Sequence, residues 1–440
     1  MKVSISGVRG VVGDSLKPSL ICRFTRAFAT YVGKGDIVIG RDTRRSGEMV
    51  EYAVRAGLLA SGMSATTVGI CPVPTIQLAV KNRRCRGGIA ITASHNPAQW
   101  NALKFIKGSG HFLNQYQSEE LLALYHQEEF NEVGTEKIRP FQHYSDAIED
   151  HIREIKERIR PASGPRLRVV VDCCNGAGSV MSPGLLRELG CEVIELHCEP
   201  NGYFPRPPEP VPANLTDLKK AVIEHRADVG FAQDADADRL AIVSEKGEAI
   251  GEEYTLALCT LHILSHERGT VACNLSTSRM IDDIAGRFGC PVLRTKIGEV
   301  NVTEKMLEAD ALIGGEGNGG VIFPRVNMAR DSFVAMTLIL ELMRERGQTV
   351  SQLTRLFPAY RMDKAALGIH PHRISNLIDD LAVIYSNEET NNLDGLKIER
   401  PDGWIHLRPS NTEPIMRVVI EAKDQATLKR YQAEIAEKIG

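Results

Sequence analysis

No stretch of this chain stays apolar for the roughly 18 residues that a membrane-spanning helix needs, and its opening, MKVSISGVRG, lacks the apolar core of a secretory signal. The expectation is a cytoplasmic protein with no membrane partner. There is no long basic run and the formal net charge is only -3, so no nucleic-acid partner is expected either. The ten cysteines, at 22, 71, 85, 173, 174, 191, 198, 259, 273 and 290, show no CxxC spacing. Reduced, buried thiols acting as small apolar residues are the preferred reading, over a zinc site or a redox pair. No G-x-S-x-G elbow supports a hydrolase triad, and no P-loop GxxxxGK[ST] occurs.

What is present is an ordinary globular composition, 43% hydrophobic and 25% charged, without the depletion that marks disorder. A chain of 440 residues is too long for one core and predicts about three or four domains, with clefts between them. A small anionic substrate fits this balance, because a cleft can be locally basic in a near-neutral protein.

Short β-branched runs, DIVIG at 36–40, ATTVG at 65–69 and GIAIT at 88–92, alternate with helical patterns such as 50–60, as βαβ units do. A helical stretch over 146–159 then meets the Pro- and Gly-containing segment 160–165, which stops a helix and suits a hinge. The alternation restarts with LRVVVDC at 167–173, EVIEL at 192–196 and ADVGFA at 227–232, and again with TVACNL at 270–275, VLRT at 292–295 and ALIGG at 311–315. The Pro-rich 205–212 reads as a loop inside the second of these units. After Phe357-Pro358 a compact segment ends in a helix over 426–439, too short for another doubly wound sheet. The expected architecture is three similar α/β domains (1–160, 161–252, 253–358) and a smaller α+β domain (359–440).

Four strings carry chemistry. In ITASHNP at 91–97 a strand ends in a polar turn, which places the Ser94 hydroxyl at the carboxyl edge of a parallel sheet, where α/β proteins bind ligands. Ser94 can be a nucleophile with His95 and Lys104 handling charge and protons, or simply the cap of a turn. Asp234, Asp236 and Asp238 crowd one strand-to-strand turn, and a hard cation is the natural resolution of three like charges so close. A solvated acidic turn is the plain alternative. An EF-hand, with Glu245 twelfth, fails because Arg239 stands where that loop needs glycine and the flanks read as strands. A catalytic Mg2+ site beside a phosphate-binding Arg239 is the preferred reading. GGEGNGG at 314–320 can lay backbone against a ligand while Glu316 accepts hydroxyl hydrogen bonds, or be a mobile hairpin; followed by VIFP, it opens no helix and is no dinucleotide fingerprint. Arg408, Ser410, Asn411, Thr412 and Arg417 hold the donors of a phosphate cradle, and the same string also fits a turn with incidental arginines.

Taken in order, TASHNP at 92–97, DADADR at 234–239, GGEGNGG and RPSNTEP resemble the phosphoserine, metal, sugar and phosphate loops of the α-D-phosphohexomutase superfamily. The resemblance implies four domains around a central cleft, with Arg9 and Lys104 beside the phosphoserine and Lys104 a candidate acid or base. It implies one Mg2+ per chain held by Ser94 and the three aspartates, and substrate contacts from Glu316, Asn318 and the phosphate loop. It also implies two phosphoryl transfers through a bisphosphate, with a hexose 1,6-bisphosphate as activator, and it is compatible with a homodimer. The sugar and phosphate loops look most like those of members acting on glucosamine phosphate; mannose and glucose phosphates are the alternative. Two departures stand out: Asn318 and Gly320 replace the serine and histidine of the common GGExSGH, and SGVRG lacks the usual aspartate. A sugar-phosphate sensor without chemistry, or a metal-dependent phosphatase, are the rival readings.

Overall fold

The computed structural model describes residues 2–4, 7–159, 164–369, 371–410 and 415–439. Four sheets follow one another along the chain. In the first, strands Asp36–Arg41, Ser64–Ile70, Gly87–Ile91 and Phe141–His143 run parallel, as their βαβ patterning requires. Trp100–Lys107 folds back antiparallel on Gly87–Ile91, and Gly7–Val11 lies antiparallel beside it. Arg9 stands opposite Ala102, and Ala102 shares a sheet face with Lys104, so the pleat carries Arg9 and Lys104 on one face next to the loop after Ile91.

The second sheet has the order Leu240–Ser244, Val229–Gln233, Arg168–Asp172, Glu192–Leu196, and its first two strands are antiparallel neighbours joined through 234–239. In the third, a hairpin pairs Ile313–Glu316 with Gly320–Phe323. The last sheet is wholly antiparallel and carries helices Pro371–Ile384 and Gln425–Ile439, the α+β form expected after Pro358. Central strands such as Gly87–Ile91 and Val229–Gln233 are buried at every position, which is why they read as continuous apolar runs.

Helix Ala147–Arg158 lies just before the expected boundary at 160, yet it belongs to two packing units. Ala147 is buried against the first domain, whereas Ile152, Ile155 and Ile159 pack with Val169 and Val171 of the second sheet. Helix Ser332–Arg346 starts where it does because Asp331 accepts hydrogen bonds from Phe333 N and Val334 N, and Gly347, at φ 58°, ends it in the left-handed form. All ten cysteines are unpaired; Cys22, Cys198 and Cys290 are partly exposed and the rest buried.

Candidate active site

The loops from the four sheets meet at a cleft of about 1490 Å³ lined by Arg9, Ser94, His95, Lys104, Arg239, Glu316, Asn318, Arg408, Ser410 and Arg417, among others. Its walls carry eight Lys and Arg against five Glu, with Asp234, Asp236 and Asp238 buried behind them, so a protein of net charge -3 gathers in one cavity the cationic donors that an anion needs.

Ser94 sits at the carboxyl end of strand Gly87–Ile91 in the left-handed region, φ 50°, and is 4% exposed. A non-glycine residue costs of order 1 kcal/mol or more there, and it is held by its surroundings. Arg44, fully buried and ion-paired to Asp42 at 2.9 Å, donates hydrogen bonds to the carbonyls of Ser94, Asn96, Pro97 and Trp100. The Ser94 hydroxyl donates to Asp234 Oδ2 at 2.7 Å, across the gap between two domains.

Asp234, Asp236 and Asp238 are buried, and one oxygen of each lies within 4.8 Å of the others. Lys104 Nζ reaches Asp236 at 2.7 Å and Asp238 at 3.9 Å. Burial, then the charges of Asp236 and Asp238, push the Asp234 carboxyl well above its usual range, while Lys104 holds Asp236 below that range despite its own burial. Asp236 Oδ1 and Asp238 Oδ1 are buried with no hydrogen-bond partner among the described residues. Orphaned carboxylate oxygens beside a serine hydroxyl fit a hard divalent cation, which takes oxygen ligands and relieves such repulsion. Arg239 lies 3.8 Å from Asp238 and 3.7 Å from Glu209; its charge, then burial and Arg9, depress the neighbouring His95 to about 2, so that imidazole is neutral. Arg9 donates to Asn96 Oδ1 at 2.8 Å.

Glu316 is more heavily engaged than its sequence suggests. Its oxygens accept from Asn274 and Gly298 at 2.9 Å, from Arg330 at 2.9 Å and from Asn318 at 3.3 Å. Burial would raise its pKa, but Arg330 and these donors hold it below the usual range. At Gly319, φ 86°, a Cβ would stand 2.4 Å from Leu240 O, so only glycine lets the 314–320 loop lie on the strand that follows the aspartates. Arg408 and Arg417 face each other across adjacent strands, with Ser410 next to them on the cleft wall. Asn411 and Thr412 lie outside the described residues.

Three contributors escaped sequence reasoning. Arg44 stands in RDTR directly after a strand, a signal as strong as the ones used. Arg330 contacts Asp238, Glu299 and Glu316 at 2.6, 3.2 and 2.9 Å, and Lys364 of the last domain reaches Glu252, Glu253 and the carbonyl of Gly317. Neither has a local motif.

Three α/β domains and an α+β domain around one cation-rich cleft define a class of enzyme, the phosphohexomutases. The chain belongs to the phosphoglucomutase/phosphomannomutase family: the models of its three alpha/beta/alpha domains match residues 1–132, 142–247 and 252–360, and that of its C-terminal domain matches 369–438. A probable phosphoglucosamine mutase of Methanopyrus kandleri is 35% identical over 98% of this chain and 96% of its own. A phosphoglucomutase/phosphomannomutase of Thermococcus kodakarensis is 36% identical over 97% and 95%. Among solved structures, a phosphoglucomutase/phosphomannomutase family protein of Burkholderia thailandensis superposes with a TM-score of 0.88 at 27% identity, covering 100% of this chain and 98% of the other. The N-acetylphosphoglucosamine mutase of Aspergillus fumigatus, in complex with GlcNAc-6P and magnesium, shares the fold at TM-score 0.59 and 14% identity over 96% of both chains. Among the described residues no helix is long and apolar enough to cross a membrane.

Proposed function

We propose that this mutase interconverts glucosamine 6-phosphate and glucosamine 1-phosphate in the cytoplasm, with the migrating phosphate carried on Ser94. The observation that carries the mechanism is the 2.7 Å hydrogen bond between the Ser94 hydroxyl and Asp234, which joins a candidate nucleophile to a candidate metal site. The substrate rests on the relatives named phosphoglucosamine mutase; the Thermococcus relative's name makes glucose and mannose phosphates the second reading.

In the first transfer the P–O bond at Ser94 Oγ breaks as a P–O bond forms to the free hydroxyl oxygen of the sugar phosphate, whose proton passes to a base. Lys104 is the candidate acid or base for that proton, and neutral His95 lines the cleft beside it as a hydrogen-bonding group. The bisphosphate turns around, and its other phosphate returns to Ser94 Oγ while the sugar oxygen takes a proton back, so the serine ends as it began. Asp234, Asp236, Asp238 and phosphorylated Ser94 would hold one Mg2+ per chain, which supplies charge neutralisation to the transferring group. Arg9 and Arg239 are positioned to receive phosphate oxygens near Ser94. Arg408, Ser410 and Arg417, with Asn411 and Thr412, grip the phosphate that is not reacting, and Glu316 and Asn318 face the sugar. A hexose 1,6-bisphosphate that rephosphorylates a bare serine serves as activator.

Two measurements test this. Steady-state rates with glucosamine, glucose and mannose phosphates on one preparation should give glucosamine phosphate the highest kcat/KM; a higher value for another sugar overturns the substrate assignment. Ser94→Ala should abolish isomerisation while sugar-phosphate binding stays measurable, and substantial turnover by that variant would end the phosphoserine mechanism.

A further inference from the structure

Helices Glu253–His266 and Ser332–Arg346 pack side by side, and their carboxyl-terminal ends gather three side chains outside the cleft. His262 and His266 stand one turn apart on one helix, with ring centroids 5.0 Å apart. From the other helix, Glu345 Oε2 lies 2.9 Å from His266 Nε2 and 3.4 Å from His262 Nδ1. A second observation marks the cluster as more than an ion pair. His262 is only 6% exposed, and the Nδ1 that it turns toward Glu345 has no hydrogen-bond partner among the described residues. A buried ring nitrogen left in this way calls for a partner that the described residues do not supply.

We propose that His262, His266 and Glu345 form a second metal site, selective for Zn2+ or a similar transition-metal ion, with water as the fourth ligand. Two imidazole nitrogens and one carboxylate oxygen are a donor set that zinc takes tetrahedrally at about 2.0–2.2 Å, which places neighbouring donors roughly 3.3 Å apart. The observed separations of 2.9 and 3.4 Å straddle that value. Side-chain exposures of 56% for His266 and 33% for Glu345 leave the ion a way in from solvent. Mg2+ prefers an all-oxygen shell, so the aspartate cluster and this site sort the two metals by donor chemistry. The bound ion clips two helices whose opposite ends reach the active site: Glu253 lines the cleft, and the Ser332 hydroxyl donates to Ala237 O within the aspartate loop.

The test is a Co2+ titration of the full chain in saturating Mg2+, read by the visible d–d bands of tetrahedral cobalt, followed by displacement with Zn2+. One Co2+ per chain should give these bands, Zn2+ should erase them, and Zn2+ should raise Tm. His266→Ala and Glu345→Gln, both at exposed positions, should weaken Co2+ binding at least tenfold and remove the Zn2+ effect on Tm, with mutase activity and metal-free Tm unchanged. Absence of the bands in the native protein, or their survival in His266→Ala, overturns the proposal.

Discussion

Arg330 divides one guanidinium among three buried carboxylates: Nη2 on Asp238 of the aspartate loop, Nη1 on Glu316 of the 314–320 loop, and Nε facing Glu299. Burial works against its charge, but those carboxylates more than compensate and push its pKa upward. Its stem also accounts for Gly320: a Cβ there would stand 2.3 Å from Arg330 Cδ, so the histidine of the common sugar loop has no room beside this arginine. Removing one cation from such a cluster leaves like charges buried and unpaired, at a cost of about 3–5 kcal/mol. Arg330→Met should therefore lower the urea midpoint strongly, and Mg2+ should recover part of that loss by replacing positive charge beside Asp238. A midpoint equal to that of the native protein would show that Arg330 does not hold the two loops together.

The loop that presents Ser94 is an element built around Arg44, whose five donors go to Asp42 and to four loop carbonyls. Lysine keeps the charge but cannot serve that many carbonyls at once. Arg44→Lys should thus lower kcat by about 100-fold, since a displacement near 1 Å at a reacting group costs that much, with KM little changed because the residues proposed to grip the non-reacting phosphate are untouched. An equal rise in KM would mean that Arg44 supports substrate binding instead. The contrast with Arg330 and Lys364 shows what the sequence could yield. Strands buried on both faces announce themselves as apolar runs, and a loop such as 234–239 crowds its carboxylates into adjacent positions. Arg330 and Lys364 act on residues 14 to 112 positions away, so only tertiary packing gives them meaning. The same limit applies to Glu316, whose acidic side chain was legible but whose four protein donors were not.

At the scale of the whole molecule, Lys364 ties the last domain to the third, with its ammonium 2.9 Å from both Glu252 and Glu253. Burial pushes Glu253 from 4.5 up to about 7, in spite of Lys364. Because its folded pKa lies above the unfolded one, the folded state binds more protons in that window, and the associated stability is full below about pH 4.5 and lost as pH rises through 7. The shift is worth about 3 kcal/mol. Glu253→Gln should show a Tm that falls less than the native one between pH 4.5 and 7, and parallel curves would exclude Glu253 as the titrating group. The second and third domains are joined more deeply still, since one uninterrupted apolar cluster runs from Ile152 and Val169 through Phe231 and Leu256 to Phe333 and Phe357, whereas the last domain keeps a separate cluster around Leu407 and Tyr431. A shared interior cannot be opened on one side only, so these two domains should form a single cooperative unfolding unit. In calorimetry the four domains would then yield fewer than four transitions. In hydrogen exchange, the slowest amides of strands Val229–Gln233 and Val271–Asn274 should open with one common free energy, while those of strand Gly403–Pro409 report another.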